Sequence, residues 1–377
     1  MRQASTYTSY LRKFSFPPFE RFGLKTNDTI SNEVFSALEY YSEVEEVGCQ
    51  FLKLHGRKKN IRNDYLQFQA YIRQAKIFYN AAEVLDYRAS SLIFYYSFLN
   101  LVKAFIFVTD PNFVDRRMSH GMGYVRKGRS FTKQAITTHQ SGVMPIFYSL
   151  SFGETIKHKT SLKIVDLLGY CSDVALEYGQ AGFGQHKLLP FMISININKN
   201  DGVAFPLISI GGFRRLERFQ KSLKDFHRYF EEVKLGTFHS KQLFDLLAED
   251  ARFCGFFEGR KRYALKDGAV IQLPILLDVI VPLRKFISFN PYMDEHDCIL
   301  AQPLRLNHQI LMNEVMAIYI NMFFLGSLVR YHPAYLESIF ASRNSWIMER
   351  FVKSAPSTFL RRIGNLIHGR NYVYVVR

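Results

Sequence analysis

Cysteine and tryptophan are scarce in this chain, and acidic residues are fewer than basic ones. Its 377 residues include four cysteines and one tryptophan. The cysteines, Cys49, Cys171, Cys254 and Cys298, lie far apart without a CxxC pair, which excludes a close-spaced thiolate metal site and a disulfide framework. We therefore expect free thiols in a reducing, cytoplasmic setting.

Several other signatures are missing. No GxGxxG or GxxxxGK[ST] loop is present, and no histidine, cysteine or carboxylate cluster has metal-ligand spacing, so we expect no cofactor and no metal. The most apolar stretch, Val315–Val329, covers 15 residues and contains Asn321. A membrane span needs roughly 20 apolar residues, so this stretch predicts a buried helix and no membrane binding.

The charge balance is strongly basic. The chain has 49 Lys and Arg against 33 Asp and Glu, a net charge of +16. This excess favours polyanionic partners: nucleic acid first, an anionic membrane surface second and acidic protein third. With 48% hydrophobic residues the chain can bury a core, so general disorder is excluded.

The apolar periodicity predicts a mainly α fold, a helical bundle with a small antiparallel β insertion (α+β). Helices are expected over Arg88–Val108 and Ser345–His368, and a hairpin over 191–210 around an Asp-Gly turn. We predict four segments: an N-terminal arm (1–30), a helical domain with a basic loop (31–183), a β-containing insertion with an amphipathic helix (184–280), and a C-terminal helical segment that packs on the first (281–377).

A glycine-rich basic loop is predicted within residues 112–142. Glycines let backbone N–H groups approach an anion, and arginine forks bind phosphate oxygens in pairs. The candidate nucleic-acid ligands here are Arg116, Arg117, His120, Arg126, Lys127 and Arg129. The alternative is a solvated charged loop.

An amphipathic helix is predicted over Phe213–Phe230, with Arg214, Arg218 and Lys221 on one face. These side chains are candidates for contacts along a nucleic-acid backbone, and a solvated helix face is the alternative.

The last predicted helix carries a polar stripe. At 100° per residue, Arg361, Asn365 and His368 lie on one side, and Ile363, Leu366 and Ile367 lie on the other. Such a stripe could hold a phosphate and move a proton at a ribose 2′-OH without a metal, with His368 as acid–base group, Arg361 as stabilising cation and Asn365 as orienting group. The alternative is an amphipathic helix whose exposed side is basic.

Two stretches resemble the YaaC-like family of bacterial proteins. One is LIFYYSFLNLVKAFIFVTDPNF (Leu92–Phe113) followed by SHG (Ser119–Gly121). The other is INMFFLGSLVRYHPAYLESIF (Ile320–Phe340) with SWIMERFVKSAP behind it. The resemblance covers about residues 60–365, and it implies a fold more than an activity.

The tyrosine-rich helix and the His-Gly loop also resemble HEPN helical bundles. That resemblance implies a metal-independent ribonuclease, commonly dimeric, in bacterial defence or toxin systems. Its motif is Arg, four to six residues, then His on a late helix, and Arg361 or Arg362 with His368 fits it. Arg116 and His120, with three residues between them, depart from it.

Two hypotheses follow. The first is a nucleic-acid-binding protein that cleaves RNA through Arg361, Asn365 and His368, as a homodimer or in a larger assembly. The second is a non-catalytic subunit that docks nucleic acid or protein within a defence or regulatory complex. A structural protein with incidental charge is a third interpretation.

Overall fold

The computed structural model describes residues 7–10, 20–24, 30–113, 118–184, 186–198, 202–211, 230–232, 254–264, 287–289, 297–301, 304–305 and 309–374. The chain divides into two compact units. One comprises Met1–Glu20 with Leu188–Asn313, and the other comprises Arg21–Lys187 with Glu314–Arg377. The four-segment division predicted above stays a prediction.

The second unit is mainly helical. Its helices are α1 (Ile30–Glu43), α2 (Glu45–Leu54), α3 (Ile61–Glu83), α4 (Tyr87–Thr109), α5 (Val143–Phe152), α6 (Ile164–Leu168), α7 (Ala175–Gln180), α8 (Glu314–Tyr331), α9 (Pro333–Phe340) and α10 (Ser345–His368). The predicted mainly α class with an antiparallel β part is confirmed.

Helix α4 is the centre of this unit and packs against α3, α8 and α10. Asp86 caps its start by accepting a hydrogen bond from the Arg88 backbone N–H (2.9 Å), and Pro111 follows its end. Phe98 of α4 stacks on Phe359 of α10 with ring centroids 3.9 Å apart. The predicted central helix is therefore confirmed.

By length and composition α4 could also cross a membrane, and it is the one described helix that could. In its most apolar window, 67% of the residues are buried inside the structure. The same burial is seen in the core helices of soluble proteins. Val315–Val329, the most apolar stretch in the sequence analysis, lies within α8, whose residues from Glu314 to Leu328 are all buried.

The prediction of a loop over 112–142 is wrong in part, because this segment contributes two strands to a three-stranded antiparallel sheet. The strands are β3 (Met122–Tyr124), β4 (Ala135–Thr138) and β5 (Ser161–Lys163), with β4 in the middle. Each strand has three or four residues, too few for an alternating pattern to stand out.

The turn before β3 is held by helix α5. The first turn of α5 donates Val143 N–H to the Ser119 carbonyl (3.0 Å) and Met144 N–H to the His120 carbonyl (3.1 Å). Gly121 follows at a φ of +74°, and a Cβ there would lie 2.3 Å from Pro145 Cδ. The Ser-His-Gly turn is therefore a fixed backbone feature.

The first unit contains the predicted hairpin, which is confirmed. Strands β6 (Leu188–Asn198) and β7 (Val203–Gly211) pair antiparallel, with Asn198 opposite Val203 across the turn. The other strands of its sheets are β1 (Tyr7–Tyr10), β8 (Phe230–Glu232), β9 (Cys254–Gly259), β10 (Tyr263–Ala264), β11 (Ile287–Phe289), β12 (Asp297–Ala301), β13 (Leu304–Arg305) and β14 (Gln309–Ile310).

The larger sheet has the order β11-β12-β6-β7-β9-β8, with β1 beside β6 and β10 beside β7, and β13 pairs with β14 separately. In the helical unit, β2 (Glu20–Leu24) pairs with β15 (Arg370–Tyr374). The helix predicted over 213–230 lies outside the described residues except for Phe230, which is in strand β8 and not in a helix.

Candidate functional site

The predicted catalytic side chains lie at the C-terminal end of α10, and all of them are buried. Arg361 is 1% exposed, Asn365 6% and His368 9%. On the opposite side Ile363 and Ile367 are buried and Leu366 is half-buried, so most of this end of the helix is enclosed. The alternative, an amphipathic helix whose exposed side is basic, therefore does not hold for Arg361, Arg362 and His368, which are buried.

Burial of the neighbouring arginine is balanced by a carboxylate. Arg362 Nε lies 2.7 Å from Glu314 Oε2, and the two side chains are 5% and 0% exposed. Glu314 Oε1 also accepts hydrogen bonds from the Ser172 backbone N–H (2.8 Å) and from the Ser172 hydroxyl. One carboxylate thus connects α10, the start of α8 and the 3-10 turn Ser172–Val174.

Asp173 adds a second acidic group to this cluster. Burial raises the pKa of its carboxyl above the usual range, and the nearby Glu314 carboxylate raises it further. A hydrogen bond from Thr358 and the charges of Arg362 and Arg361 act in the opposite direction, lowering the pKa. The end of α10 is therefore a compensated charge cluster with two arginines and two carboxyl groups.

His368 is held by a tyrosine from α1. Its Nε2 lies 2.6 Å from the Tyr41 hydroxyl, and the two rings meet edge to face with centroids 4.6 Å apart. Sequence reasoning missed Tyr41, Glu314 and Ser172 as partners of this helix. Each is distant in the chain from its partner, Tyr41 and His368 being 327 positions apart, and no local pattern marks it.

The predicted basic loop is described in part. Arg116 and Arg117 lie outside the described residues, whereas Arg126, Lys127 and Arg129 are exposed between β3 and the 3-10 turn Phe131–Lys133. The Arg126 guanidinium covers the Tyr335 ring at 4.4 Å from its centroid, and Lys127 Nζ donates to Ser161 Oγ (3.3 Å). The loop therefore lies against the three-stranded sheet.

Further lysines surround the same sheet. Lys133 precedes β4 and Lys163 ends β5 opposite Ala135, while Lys157 and Lys159 lie in the turn before β5. The Lys159 backbone N–H donates to the Thr138 carbonyl (2.9 Å), which places that turn at the far end of β4. We call this set of exposed cations the basic sheet surface: Arg126, Lys127, Arg129, Lys133, Lys157, Lys159 and Lys163.

The basic sheet surface has almost no acidic counterpart. Within residues 118–163 its seven cations face a single acidic residue in the sequence, Glu154. Among the described residues, none of the seven forms an ion pair with a carboxylate. Three of the seven were predicted from the sequence, and the four lysines were not, because only the strand pairing brings them together.

Of the other predicted nucleic-acid ligands, the structure describes His120 alone. Arg214, Arg218 and Lys221 lie outside the described residues. His120 is part of a different cluster: its Nδ1 lies 2.6 Å from the Tyr95 hydroxyl of α4. Where the structure is described, no three His, Cys, Asp or Glu side chains are grouped as metal ligands.

The comparisons with known proteins give one family and no individual relative. No curated protein and no solved structure matches the chain. The likeness to HEPN bundles therefore stays a prediction. The model of the family described as YaaC-like Protein matches residues 41–367, from α1 to the end of α10. The chain belongs to the YaaC-like family.

Proposed function

We propose that this YaaC-like protein is a cytoplasmic nucleic-acid-binding protein that contacts RNA through the basic sheet surface. The observation that carries the proposal is the group of seven exposed cations around one small sheet, which have no carboxylate partner among the described residues. Phosphate contacts supply most of the affinity of sequence-independent binding, and they need exposed lysine and arginine.

The experiment is a salt series of fluorescence anisotropy with a labelled single-stranded RNA. The test variant is Lys159→Gln/Lys163→Gln, and the matched control is Lys58→Gln/Lys59→Gln in the exposed turn between α2 and α3. If Lys159 and Lys163 contact phosphates, their loss should reduce the slope of log K against log salt by about 1 to 2.

The control removes the same net charge and should leave that slope nearly unchanged. Equal losses in the two double variants, or no RNA binding by the unaltered protein at physiological salt, would sink the proposal. A DNA strand of the same sequence tests the preference for RNA.

Metal-independent RNA cleavage is the second candidate, in the defence setting that the HEPN resemblance implies. The observation in its favour is that Tyr41 orients the His368 imidazole on the helix face that also carries Arg361 and Asn365. Their burial favours the first candidate, because RNA must reach an acid–base group.

One assay distinguishes the two candidate functions. The protein and its His368→Ala variant are incubated with RNA in the presence of a chelator, and products are resolved on a gel. Cleavage that disappears with His368 supports the ribonuclease. RNA binding without product from either protein supports a non-catalytic subunit, and a dimer or larger assembly would be seen by light scattering.

A further inference from the structure

Parts of the two stretches that resemble the YaaC-like family meet at one place in the helical unit. Tyr95 and Tyr96 come from the FYYSF stretch of α4, His120 from the Ser-His-Gly turn, and Arg330 from the LVRY stretch at the end of α8. Tyr95 is buried beneath the other three, which are partly exposed. We call these four residues the Arg330 cluster.

The polar groups of the Arg330 cluster are bonded in two pairs. The Tyr95 hydroxyl lies 2.6 Å from His120 Nδ1, and Arg330 Nη1 donates to the Tyr96 hydroxyl (3.2 Å). The fixed turn around Gly121 and the contact of the His120 ring with Phe323 (5.7 Å between centroids) hold the imidazole in place.

The charges around His120 are of one sign. In the described structure, the charged side chains that act on it are Arg330 and Lys103, both cations. Burial, reinforced by these cations, lowers the pKa of the His120 imidazole, so it is neutral at neutral pH. Burial likewise holds the Tyr95 pKa well above its usual range. The Tyr95 hydroxyl keeps its proton, and in the tautomer where it donates to Nδ1 the imidazole carries its own proton on Nε2.

Arg330 has no carboxylate partner among the described residues, in contrast to Arg362. Its Nε is buried and makes no hydrogen bond there. The carbonyl end of α8 favours a cation at this position, but it leaves that donor unused. The guanidinium as a whole is half-buried, so an anion can still reach its exposed part, and a bound oxyanion would supply the missing counter-ion.

We propose that the Arg330 cluster is a binding site for a phosphate group, with the Arg330 guanidinium as its main ligand and the His120 imidazole as a second donor. Tyr95 is a positioning residue, since it orients the imidazole from below. The site goes beyond the proposed function, because it takes a single phosphate and does not depend on the basic sheet surface. That phosphate could belong to a free nucleotide or to the end of a nucleic-acid strand.

The test uses the full-length protein and thermal unfolding in sodium phosphate against sodium chloride of equal ionic strength. Phosphate should raise the melting temperature, and titration calorimetry should then give its dissociation constant. Arg330→Gln should weaken phosphate binding about 10- to 100-fold, as expected for loss of a charge-assisted hydrogen-bond pair. Arg343→Gln, which removes an exposed arginine between α9 and α10, is the matched control.

Arg330→Lys separates binding from folding, because it keeps the charge but loses the planar fork. It should bind phosphate with an affinity between those of the unaltered protein and Arg330→Gln. A phosphate effect that is absent from the unaltered protein, or equal in Arg330→Gln and Arg343→Gln, would overturn the proposal. Melting temperatures in chloride alone report the structural cost of each variant.

Further arms identify the source of the phosphate. A nucleoside monophosphate and two RNA strands, one with a 5′-phosphate and one with a 5′-hydroxyl, are titrated against the protein and Arg330→Gln. Arg330-dependent binding of the mononucleotide indicates a free nucleotide, and an Arg330-dependent preference for the phosphorylated strand indicates a strand end. If Arg330→Gln leaves the RNA affinity unchanged but Lys159→Gln/Lys163→Gln lowers it, the proposed function is supported and the phosphate site is not.

Discussion

The helical unit contains two histidine–tyrosine hydrogen bonds of the same length, and the charged groups around them differ. Tyr41 and His368 meet at 2.6 Å in a buried region where Glu314 neutralises Arg362. Tyr95 and His120 also meet at 2.6 Å, but the charged neighbours of His120 in the described structure are cations. The bond length is the same in both, so the difference between the regions lies in whether each arginine has a carboxylate partner.

This difference separates a stabilising cluster from a candidate binding site. A buried arginine paired with a buried carboxylate is electrostatically complete, and a ligand would have to displace that carboxylate. An arginine without a carboxylate, at a partly exposed position, can gain by binding an anion. We therefore expect substitutions at the α10 end to change folding stability, and substitutions in the Arg330 cluster to change ligand response.

The largest expected effect is at Glu314. Glu314→Gln leaves the buried Arg362 guanidinium without its counter-ion, and we expect a loss of about 3–5 kcal/mol in the free energy of unfolding, measured by urea denaturation. The matched control is Glu349→Gln, which breaks the exposed Lys353–Glu349 pair on α10, the helix that carries Arg362. It should reduce the free energy of unfolding by only a small fraction of the loss expected for Glu314→Gln. Similar losses in the two variants would show that the buried pair is not special.

The next effect concerns the turn that holds His120. Gly121→Ala forces a side chain into a positive-φ position and against Pro145, so we expect a loss of about 1–3 kcal/mol in stability and a weaker phosphate response. Gly128→Ala is the control, because Gly128 also has a positive φ (+67°) but open space around its Cα. The control should keep the full phosphate response, and a loss of that response in both variants would contradict the role of the turn.

The smallest effect is a pH dependence of stability from His120. The folded protein lowers the pKa of this imidazole, whereas in the unfolded chain it is about 6.5. The unfolded state therefore binds more protons between the two values, and stability should fall as the pH drops through 6.5 toward the folded pKa. His120→Gln should flatten that part of the stability curve in thermal melts from pH 7.5 to 5. An unchanged curve would show that His120 does not contribute.

Apolar periodicity and turn residues in the sequence predicted the helices and strands whose own residues determine which side is buried. Helix α10 has the predicted bounds, Ser345–His368, and the two predicted hairpin strands pair, with Asn198 opposite Val203. Helix α4 is apolar nearly all round, so its central place could be foreseen. The short strands β3, β4 and β5 could not, because their pairing joins residues 12 to 28 positions apart, such as Tyr124 with Ile136 and Ala135 with Lys163.

The candidate sites divide in the same way. The excess of cations, and the placement of Arg361, Asn365 and His368 on one side of α10, are read directly from composition and helical period. A helical period gives the angle between side chains but not what packs opposite them. Only the tertiary structure decides that Glu314 and Tyr41 enclose the end of α10, that four further lysines gather around β4, and that Arg330 lies beside His120 without a carboxylate partner in the described chain. Each of these facts depends on contacts between distant segments, for which a single sequence carries no local signal.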